Sequence, residues 1–587
     1  MARIAERFVE GNDGTRIAVY EEGNPDGPAL VLVHGWPDSH RLWDGVVPLL
    51  ADKFRVIRYD NRGAGASSVP AKASSYTMDH LADDFAAVIS ELAPDRPVHA
   101  MGHDWGSVTV WRYIGRPGAA DRVASFTSVS GPDLDHFGRY IREGLRTPYR
   151  PKRFAHSISQ VLHLSYMATF SIPVLMPALM RAYLAKAIRR FAISRGIPAD
   201  RVHYGETFVA DAANGLKIYR ANAFHTLAHG GADRPVQVPV QLIVNLDDPY
   251  VRPYVYDDTA RWVPRLWRRD LRAGHWSPFS HPQVLAAAVT ELAEHLEGKP
   301  ASRALLRAEI SRPRKPFGDM LVSVTGAGSG IGRETALAFA RDGAELVVSD
   351  INEAAVKETA DRIAAHGGIA HPYVLDVSDA EAVERFADEV CNAHGVPDIV
   401  VNNAGIGMAG GFLDTPAEQF DRVLDVNLGG VVNGCRAFAR RLVDRGTGGH
   451  IVNVASMAAY APMGSMSAYC TSKAAVYMFS DCLRAELDAA GVGLTTICPG
   501  VINTNIVSTT AFHVPEGKRT KVPGRRAQVE KMFAARNYGP DKVATAILAA
   551  VRKNTPIRPV SPEAYLVYGT SRLAPQALRS TARTKVV

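Results

Sequence analysis

The chain of 587 residues is 47% hydrophobic and 22% charged, an ordinary globular composition on a length beyond what one hydrophobic core organises, so at least two domains are expected. A formal net charge of +7 is a small surplus on so long a chain and indicates a solvated surface; the basic stretches lack the interleaved aromatic residues that a nucleic-acid partner would call for. The five cysteines, Cys391, Cys435, Cys470, Cys482 and Cys498, are odd in number and have no CxxC spacing, which argues against a disulfide framework or a zinc site and fits reduced thiols in a cytoplasmic protein.

Residues 1–10 alternate charge with apolar groups and lack the apolar stretch of a secretory signal. Short β-branched runs at 29–33, 54–58, 98–101 and 240–244 predict buried strands, and so do those at 321–325, 345–349, 399–402, 451–454 and 494–497. Longer amphipathic stretches separate them, which predicts an α/β chain of parallel sheets with helices on both faces. Residues 134–227 instead read as helical throughout, and a helical insertion between two sheet strands is a lid. The segment 299–317 is rich in proline, glycine and positive charge, so it is expected to be a linker between domains at 1–298 and 318–587. All seven tryptophans, from Trp36 to Trp276, precede it.

In the first half the strand at 98–101 runs into Gly102-His-Asp104-Trp-Gly106, the spacing of a sharp strand-to-helix elbow that lifts its central side chain above the sheet. An aspartate there, rather than a serine, can attack an sp3 carbon and form an ester that water then hydrolyses, so epoxides and carbon–halogen bonds are the natural targets. His34-Gly-Trp36-Pro37 places an amide that, with that of Trp105, would form an oxyanion hole. Asp248 after the strand at 240–244 and His275 near the end of the half complete the hydrolase order of nucleophile, acid and base. Asp247 is the rival for the acid; Asp248 is preferred for its place before Pro249-Tyr-Val251.

Within the lid, residues 170–180 are nearly all apolar and residues 181–195 mix apolar groups with Arg181, Lys186, Arg189, Arg190 and Arg195. Two readings stay open: a helix over a greasy pocket with its basic residues in water, or an interfacial surface gathering lipid substrate at the inner face of a membrane. The run is too short and too broken by proline to span a bilayer.

His34-Gly-Trp-Pro37, Asp60-Asn-Arg-Gly-Ala-Gly-Ala-Ser67 and Gly102-His-Asp-Trp-Gly106 together resemble the epoxide hydrolase branch of the α/β-hydrolases. That resemblance implies two lid tyrosines that clamp and protonate the epoxide oxygen, and Tyr166 and Tyr219 stand in segments similar to those that carry them. Haloalkane-cleaving relatives usually carry Asn at the place of Trp36, and fluoroacetate dehalogenases Arg at that of Trp105, so the epoxide is favoured. The alternatives are haloalkane dehalogenase chemistry, or an inactive lipid-binding scaffold domain.

In the second half Thr325-Gly326-Ala-Gly-Ser329-Gly330-Ile331-Gly332 follows a strand and opens an amphipathic stretch, so its backbone can approach a pyrophosphate at a helix N-terminus. Asp350 ends the next strand; a carboxylate there accepts bonds from ribose hydroxyls and repels a 2′-phosphate, favouring NAD over NADP. Tyr469 and Lys473 share a helix face, so the lysine could lower the tyrosine's pKa while the phenol acts as acid or base at an alcohol or carbonyl. Ser456 would bond the substrate oxygen, and Asn427 would complete a proton relay.

With Asp376-Val377, Asn403-Ala404-Gly405, Pro499-Gly500 and Thr504, this set resembles the short-chain dehydrogenase family, whose Rossmann-type fold and cofactor contacts the matching positions imply. Family relatives form oligomers through helices of this domain, so a homo-oligomer is expected. The whole arrangement resembles the bifunctional epoxide hydrolase D proteins of actinobacteria. It implies a hydrophobic, lipid-like epoxide opened to a vicinal diol, one hydroxyl of which the second domain would oxidise to a ketone.

Overall fold

The computed structural model describes residues 5–582 apart from 196, 203, 223–234, 516, 518, 519, 521 and 537, and the chain divides into two compact units, Met1–Arg312 and Pro313–Val587.

The first unit is built on an eight-stranded sheet of β1 (Ala5–Glu10), β2 (Arg16–Gly23), β3 (Ala29–Val33), β4 (Arg55–Tyr59), β5 (Val98–His103), β6 (Val123–Val129), β7 (Val240–Asn245) and β8 (Leu266–Leu271), in the order β1-β2-β4-β3-β5-β6-β7-β8. Strands β5 and β7 are buried along their whole length, as strands covered on both faces are, and their polar members are hydrogen-bonded inside, His99 to Ser125, His103 to His275 O, Gln241 to Ala288 O and Asn245 to Ser130. The expectation of a wholly parallel sheet is corrected at one edge: β1 pairs with β2, and β2 with β4, antiparallel. There the outermost strand meets water along most of its length, with Glu6, Arg7, Phe8 and Glu10 exposed and Val9 buried. Separate apolar clusters cover the two faces, one around Phe85, Trp111 and Phe126, the other around Trp43, Phe54 and Leu285, each fully buried side chain contributing about 1.5–3 kcal/mol.

Between β6 and β7 lie the lid helices Leu134–Leu145, Pro151–His163, Ser165–Phe170, Leu175–Leu179, Ala185–Ser194 and Phe208–Asn222. The helical reading therefore extends to Asn222, interrupted by short breaks, and residues 223–227 of the expected lid lie outside the described residues. The expected linker is partly a packed element: helix Arg303–Ala308 is capped by Ser302, whose Oγ accepts from Leu305 N at 3.1 Å. It buries Leu305 and Ala308 against Trp267 and Leu292 of the first unit. Two apolar residues three apart, on one face of a single helical turn, outweigh the basic composition around them.

The second unit holds a parallel seven-stranded sheet of β9 (Leu321–Thr325), β10 (Glu345–Asp350), β11 (Ala370–Val374), β12 (Ile399–Asn402), β14 (Gly449–Val454), β15 (Val492–Pro499) and β17 (Ile557–Val560), in the order β11-β10-β9-β12-β14-β15-β17, while β13 (Met408–Gly410) and β16 (Ala511–His513) pair separately. The strand order reverses at β9 and β12, and in open α/β sheets ligands bind at the carboxyl ends of the strands flanking such a switch. Helices Pro562–Leu573 and Pro575–Thr581 carry the chain beyond the last strand. Among the described residues no single helix is long and apolar enough to cross a membrane.

Candidate active sites

At the end of β5 the backbone of Asp104 takes φ 51 and ψ −126, a conformation that L residues rarely hold and that commonly marks a functional turn. The turn closes because the next glycine has no side chain: a Cβ on Gly106 would lie 2.3 Å from the carbonyl oxygens of Val33 and His34. The loop after β3 is fixed from both sides, with His34 Nδ1 bonded to Gly35 O at 2.8 Å and Nε2 accepting from Asn61 N at 2.9 Å. It presents the Trp36 amide, which donates to Asp104 Oδ2 at 2.9 Å; the Trp105 amide also bonds this carboxylate. The two amides of the expected oxyanion hole thus converge on one carboxylate.

On its other side, Asp104 Oδ1 lies 3.7 Å from His275 Nε2. His275 Nδ1 meets Asp248 Oδ2 at 2.8 Å, while Asp248 Oδ1 accepts from the amides of Tyr250 at 2.8 Å and Val251 at 3.1 Å. Asp248 is 1% exposed and Asp247 lies at the surface, so the former faces the imidazole. Burial alone would lower His275, but Asp248, then Asp104 and Asp38, outweigh it and raise the imidazole to about 9. Burial likewise would raise Asp248, yet His275 and the two amides hold it low. Asp104 is raised, chiefly by burial, with His275 opposing.

Above them the lid supplies an aromatic box. Tyr219 is 2% exposed, its ring 5.3 Å from Trp36 and from Trp105 and 5.9 Å from Tyr166. Tyr166 and Tyr219 hydrogen-bond each other. Burial holds both phenols well above their usual pKa, so both remain protonated donors at neutral pH. Of the other lid tyrosines, Tyr149 and Tyr183 are exposed, Tyr140 packs on Tyr254 and Tyr204 on Phe208.

In the second unit, Gly326 takes φ +64 where a Cβ would come 2.8 Å from Ala404 Cα, and so leaves a cradle. Asn403 ties this loop down, Nδ2 donating to Thr325 O at 2.9 Å, and Thr325 Oγ1 accepts from the amides of Asn403 and Ala404 at 3.0 and 3.1 Å. Ser329, the N-cap of helix Gly330–Arg341, makes no capping bond through its side chain, so the first-turn amides at Gly330, Ile331 and Gly332 are open to an anion. Asp350 Oδ2 accepts from Gly328 N at 2.8 Å and Oδ1 from Asn352 N at 2.9 Å, leaving lone pairs on both oxygens. The donor set fits a dinucleotide. Asp376 is bound by Ser378 and Arg422, Val377 O accepts from Asn433 Nδ2 at 3.0 Å, and Thr504 lies beside Gly330. Pro499 ends β15, and Gly500 fits closely against Ser561 and Glu563.

Tyr469 and Lys473 lie on helix Ser467–Asp488, and Ser456 follows β14 and bonds Tyr469. Lys473 is 4% exposed; burial brings it down to about 8, and Nζ donates to Val454 O at 2.9 Å. The expected lowering of Tyr469 by this lysine is corrected: burial raises the phenol, and Ser456 provides the opposing influence. Asn427 sits in a π-turn, Asp425–Gly429, its side chain held by both backbone groups of Ile406 and by Ser472 Oγ. That side chain and Lys473 both border Gly405.

A family model described as alpha/beta hydrolase fold matches residues 28–282 and one described as short chain dehydrogenase matches 320–513. The chain is 69% identical over 584 residues to the probable oxidoreductase EphD of Mycobacterium tuberculosis and of Mycobacterium bovis, covering 99% of this chain and 99% of each of those. The chain belongs to the EphD family. The chain joins an α/β-hydrolase domain to a short-chain dehydrogenase domain and is a bifunctional enzyme, its second domain one that takes a nicotinamide cofactor. That domain is also similar to C alpha-dehydrogenase of Sphingobium sp., 31% identical over 41% of this chain and 80% of that one. A short-chain dehydrogenase from Burkholderia phymatum, solved with NAD, is 30% identical with a TM-score of 0.41 over 45% of this chain and 95% of that one.

Three residues of this EphD-family site escaped the sequence reading. Asp38, 3% exposed, accepts from Trp276 Nε1 at 3.2 Å while its Oδ1 has no partner among the described residues. Burial and the charge of Asp104 raise it to about 8. Tyr250 lies 4.9 Å from the His275 ring and 5.2 Å from Tyr166, and His103 bonds His275 O at 2.9 Å. Each adjoins a residue that was singled out, and adjacency to His34-Gly-Trp-Pro37, Asp104 and Asp248 is the signal that would have found them.

Proposed function

We propose that the first domain hydrolyses a hydrophobic, lipid-like epoxide to a vicinal diol through an ester on Asp104, and that the second interconverts a secondary alcohol and a ketone with NAD. The observation that carries the hydrolase reading is the convergence of two amides and His275 on one carboxylate beneath two lid phenols in ring contact with each other. Asp104 attacks an epoxide carbon; the ester C–O bond forms as the ring C–O bond breaks, and Tyr166 or Tyr219 gives the leaving oxygen its proton. His275 then takes a proton from water, the resulting hydroxide adds to the ester carbonyl, and the amides of Trp36 and Trp105 receive the charge that develops. On collapse the expelled oxygen takes the proton from His275 and the carboxylic acid returns its proton to the tyrosinate, which releases the diol and restores the carboxylate, the phenol and the imidazole.

Halide release is disfavoured by where the indole N–H groups point. That of Trp36 donates to Ala212 O at 2.9 Å and that of Trp105 is bonded to Tyr219, whereas a departing halide needs such donors free.

In the second domain the loop from Gly326 to Gly332 and Asp350 would hold a nicotinamide dinucleotide, which would supply the hydride chemistry. Tyr469 takes or returns the hydroxyl proton, Ser456 bonds the substrate oxygen, and Asp350 binds the adenosine ribose. Replacing Asp350 by serine together with Ile351→Arg is expected to move the ratio of kcat/KM for NAD over NADP by about 100-fold or more towards NADP, since it removes a like-charge clash and adds an ion pair. Steady-state kinetics with both cofactors checks it.

Ester trapping tests the hydrolase reading directly. His275→Gln, mixed with a long-chain epoxide and quenched, should carry a substrate-sized adduct on the peptide that contains Asp104. If no adduct forms, and wild type yields no diol from a varied epoxide panel, the first domain is an inactive lipid-binding scaffold instead.

A further inference from the structure

The outer face of the lid differs from the remainder of the first domain in two independent ways. Large apolar side chains stand in water there: Val174 is 83% exposed, Leu162 66%, Tyr183 61% and Leu175 54%, with Ile172 and Leu179 also exposed. The neighbouring charge is of one sign, since residues 144–195 contain nine arginines and lysines and no aspartate or glutamate. Lys186, Arg189 and Arg190 are exposed and take part in no ion pair among the described residues.

The shape of this face is equally specific. The segments Pro151–Phe170 and Leu175–Ser194 are together long and apolar enough to resemble a membrane-crossing pair, but they meet at 89°. Their inner sides are committed elsewhere: Tyr166, Phe170, Met176 and Met180 pack with Trp36, Trp105 and Tyr219 over Asp104. Only the outer side and the corner are free. At that corner Val174 takes φ 63, a strained position for a β-branched residue, and it is turned outward instead of into a core.

We propose that this corner docks on a bilayer rich in anionic lipid, with Ile172, Val174 and Leu175 entering the headgroup boundary and Lys186, Arg189 and Arg190 meeting the lipid phosphates. An apolar wedge flanked by basic residues is the pattern of shallow interfacial binding, in which buried apolar area and attraction to anionic lipid add. The inner faces of the docking segments form the roof of the Asp104 site, so an apolar substrate leaving the bilayer would reach that roof without crossing water. Docking itself does not depend on the epoxide reading.

The test is co-sedimentation of the full-length protein with vesicles of phosphatidylcholine alone or mixed with phosphatidylglycerol. Binding to the anionic vesicles, weakened by high salt and about tenfold or more weaker on pure phosphatidylcholine, is expected. Val174→Asp with Leu175→Asp should lower the partition about tenfold or more, while turnover of a small water-miscible epoxide and binding of NAD by the second domain stay unchanged. Lys186→Gln with Arg190→Gln, a purely surface change, should lower it by a similar factor. Absence of binding to either vesicle, or unaltered binding by both folded variants, overturns the proposal. So does a dimer in sedimentation equilibrium that Val174→Asp with Leu175→Asp dissolves, because the corner would then belong to a second copy of the chain. Failure of the ester-trapping experiment with vesicle binding intact would remove the epoxide chemistry and leave the docking.

Discussion

On the proposed chemistry, Asp104→Asn should lower epoxide turnover by about 10⁴-fold or more and leave the second domain's reaction unchanged. The substitution removes the attacking carboxylate yet retains the side-chain carbonyl that can accept from the Trp36 amide, and asparagine tolerates positive φ better than most residues, so folding should survive. Diol assays, dehydrogenase assays and near-ultraviolet circular dichroism on one sample separate these effects. Appreciable remaining turnover would mean that water attacks the epoxide directly with His275 as base. The same site implies a pH dependence for the second half of the reaction. In the free enzyme His275 is held protonated to about 9 by Asp248, Asp104 and Asp38 against the effect of burial, a state that favours the ionised nucleophile but cannot accept a proton. Ester formation cancels the Asp104 charge and with it one of the influences raising His275, so the imidazole becomes a base only after attack. In single-turnover measurements ester hydrolysis should therefore accelerate as pH rises, with its midpoint below 9.

Tyr469→Phe is expected to lower kcat/KM of the alcohol–ketone reaction by about 10²–10⁴-fold while diol formation is untouched. Removal of the hydroxyl deletes the group that would carry the substrate proton and strands its bond from Ser456, but it leaves a ring of nearly the same volume in a partly buried position. Cofactor affinity, measured by fluorescence titration, should change little, because Lys473 remains anchored to Val454 O. A large loss of cofactor binding together with the rate would instead mark Tyr469 as part of the cofactor's seat.

How much of this could be read from the sequence follows from where each element sits. Strands β3, β9 and β12 have the bounds expected from their runs of mostly apolar, β-branched residues, the composition favoured where a strand is covered on both faces. Strand β8, Leu266–Leu271, carries two arginines and an aspartate at a sheet edge and gives no such run, and β6 is rich in serine and threonine that are buried against neighbouring strands and helices. The elbow at Asp104 was legible because its geometry demands small residues at fixed distances. Tyr166 and Tyr219 were legible only through family resemblance, since tyrosine in a helical lid has no spacing that distinguishes a proton donor from a packing residue. Asp38 was passed over for a related reason: what sets it apart is an unpartnered carboxylate oxygen deep in the protein, and burial of that kind depends on Trp276, 238 residues away along the chain.

The helix Arg303–Ala308 alters what counts as the hydrolase. Leu305 occupies a socket lined by Trp267 and Leu292, so a fragment ended at Glu297 would lack the residue that closes it and would present bare tryptophan and leucine to solvent. The natural place to divide the polypeptide is after Arg312. A gene fragment designed on composition alone, with its stop codon where proline, glycine and lysine first crowd together, would discard a working part of the first enzyme as though it were tether.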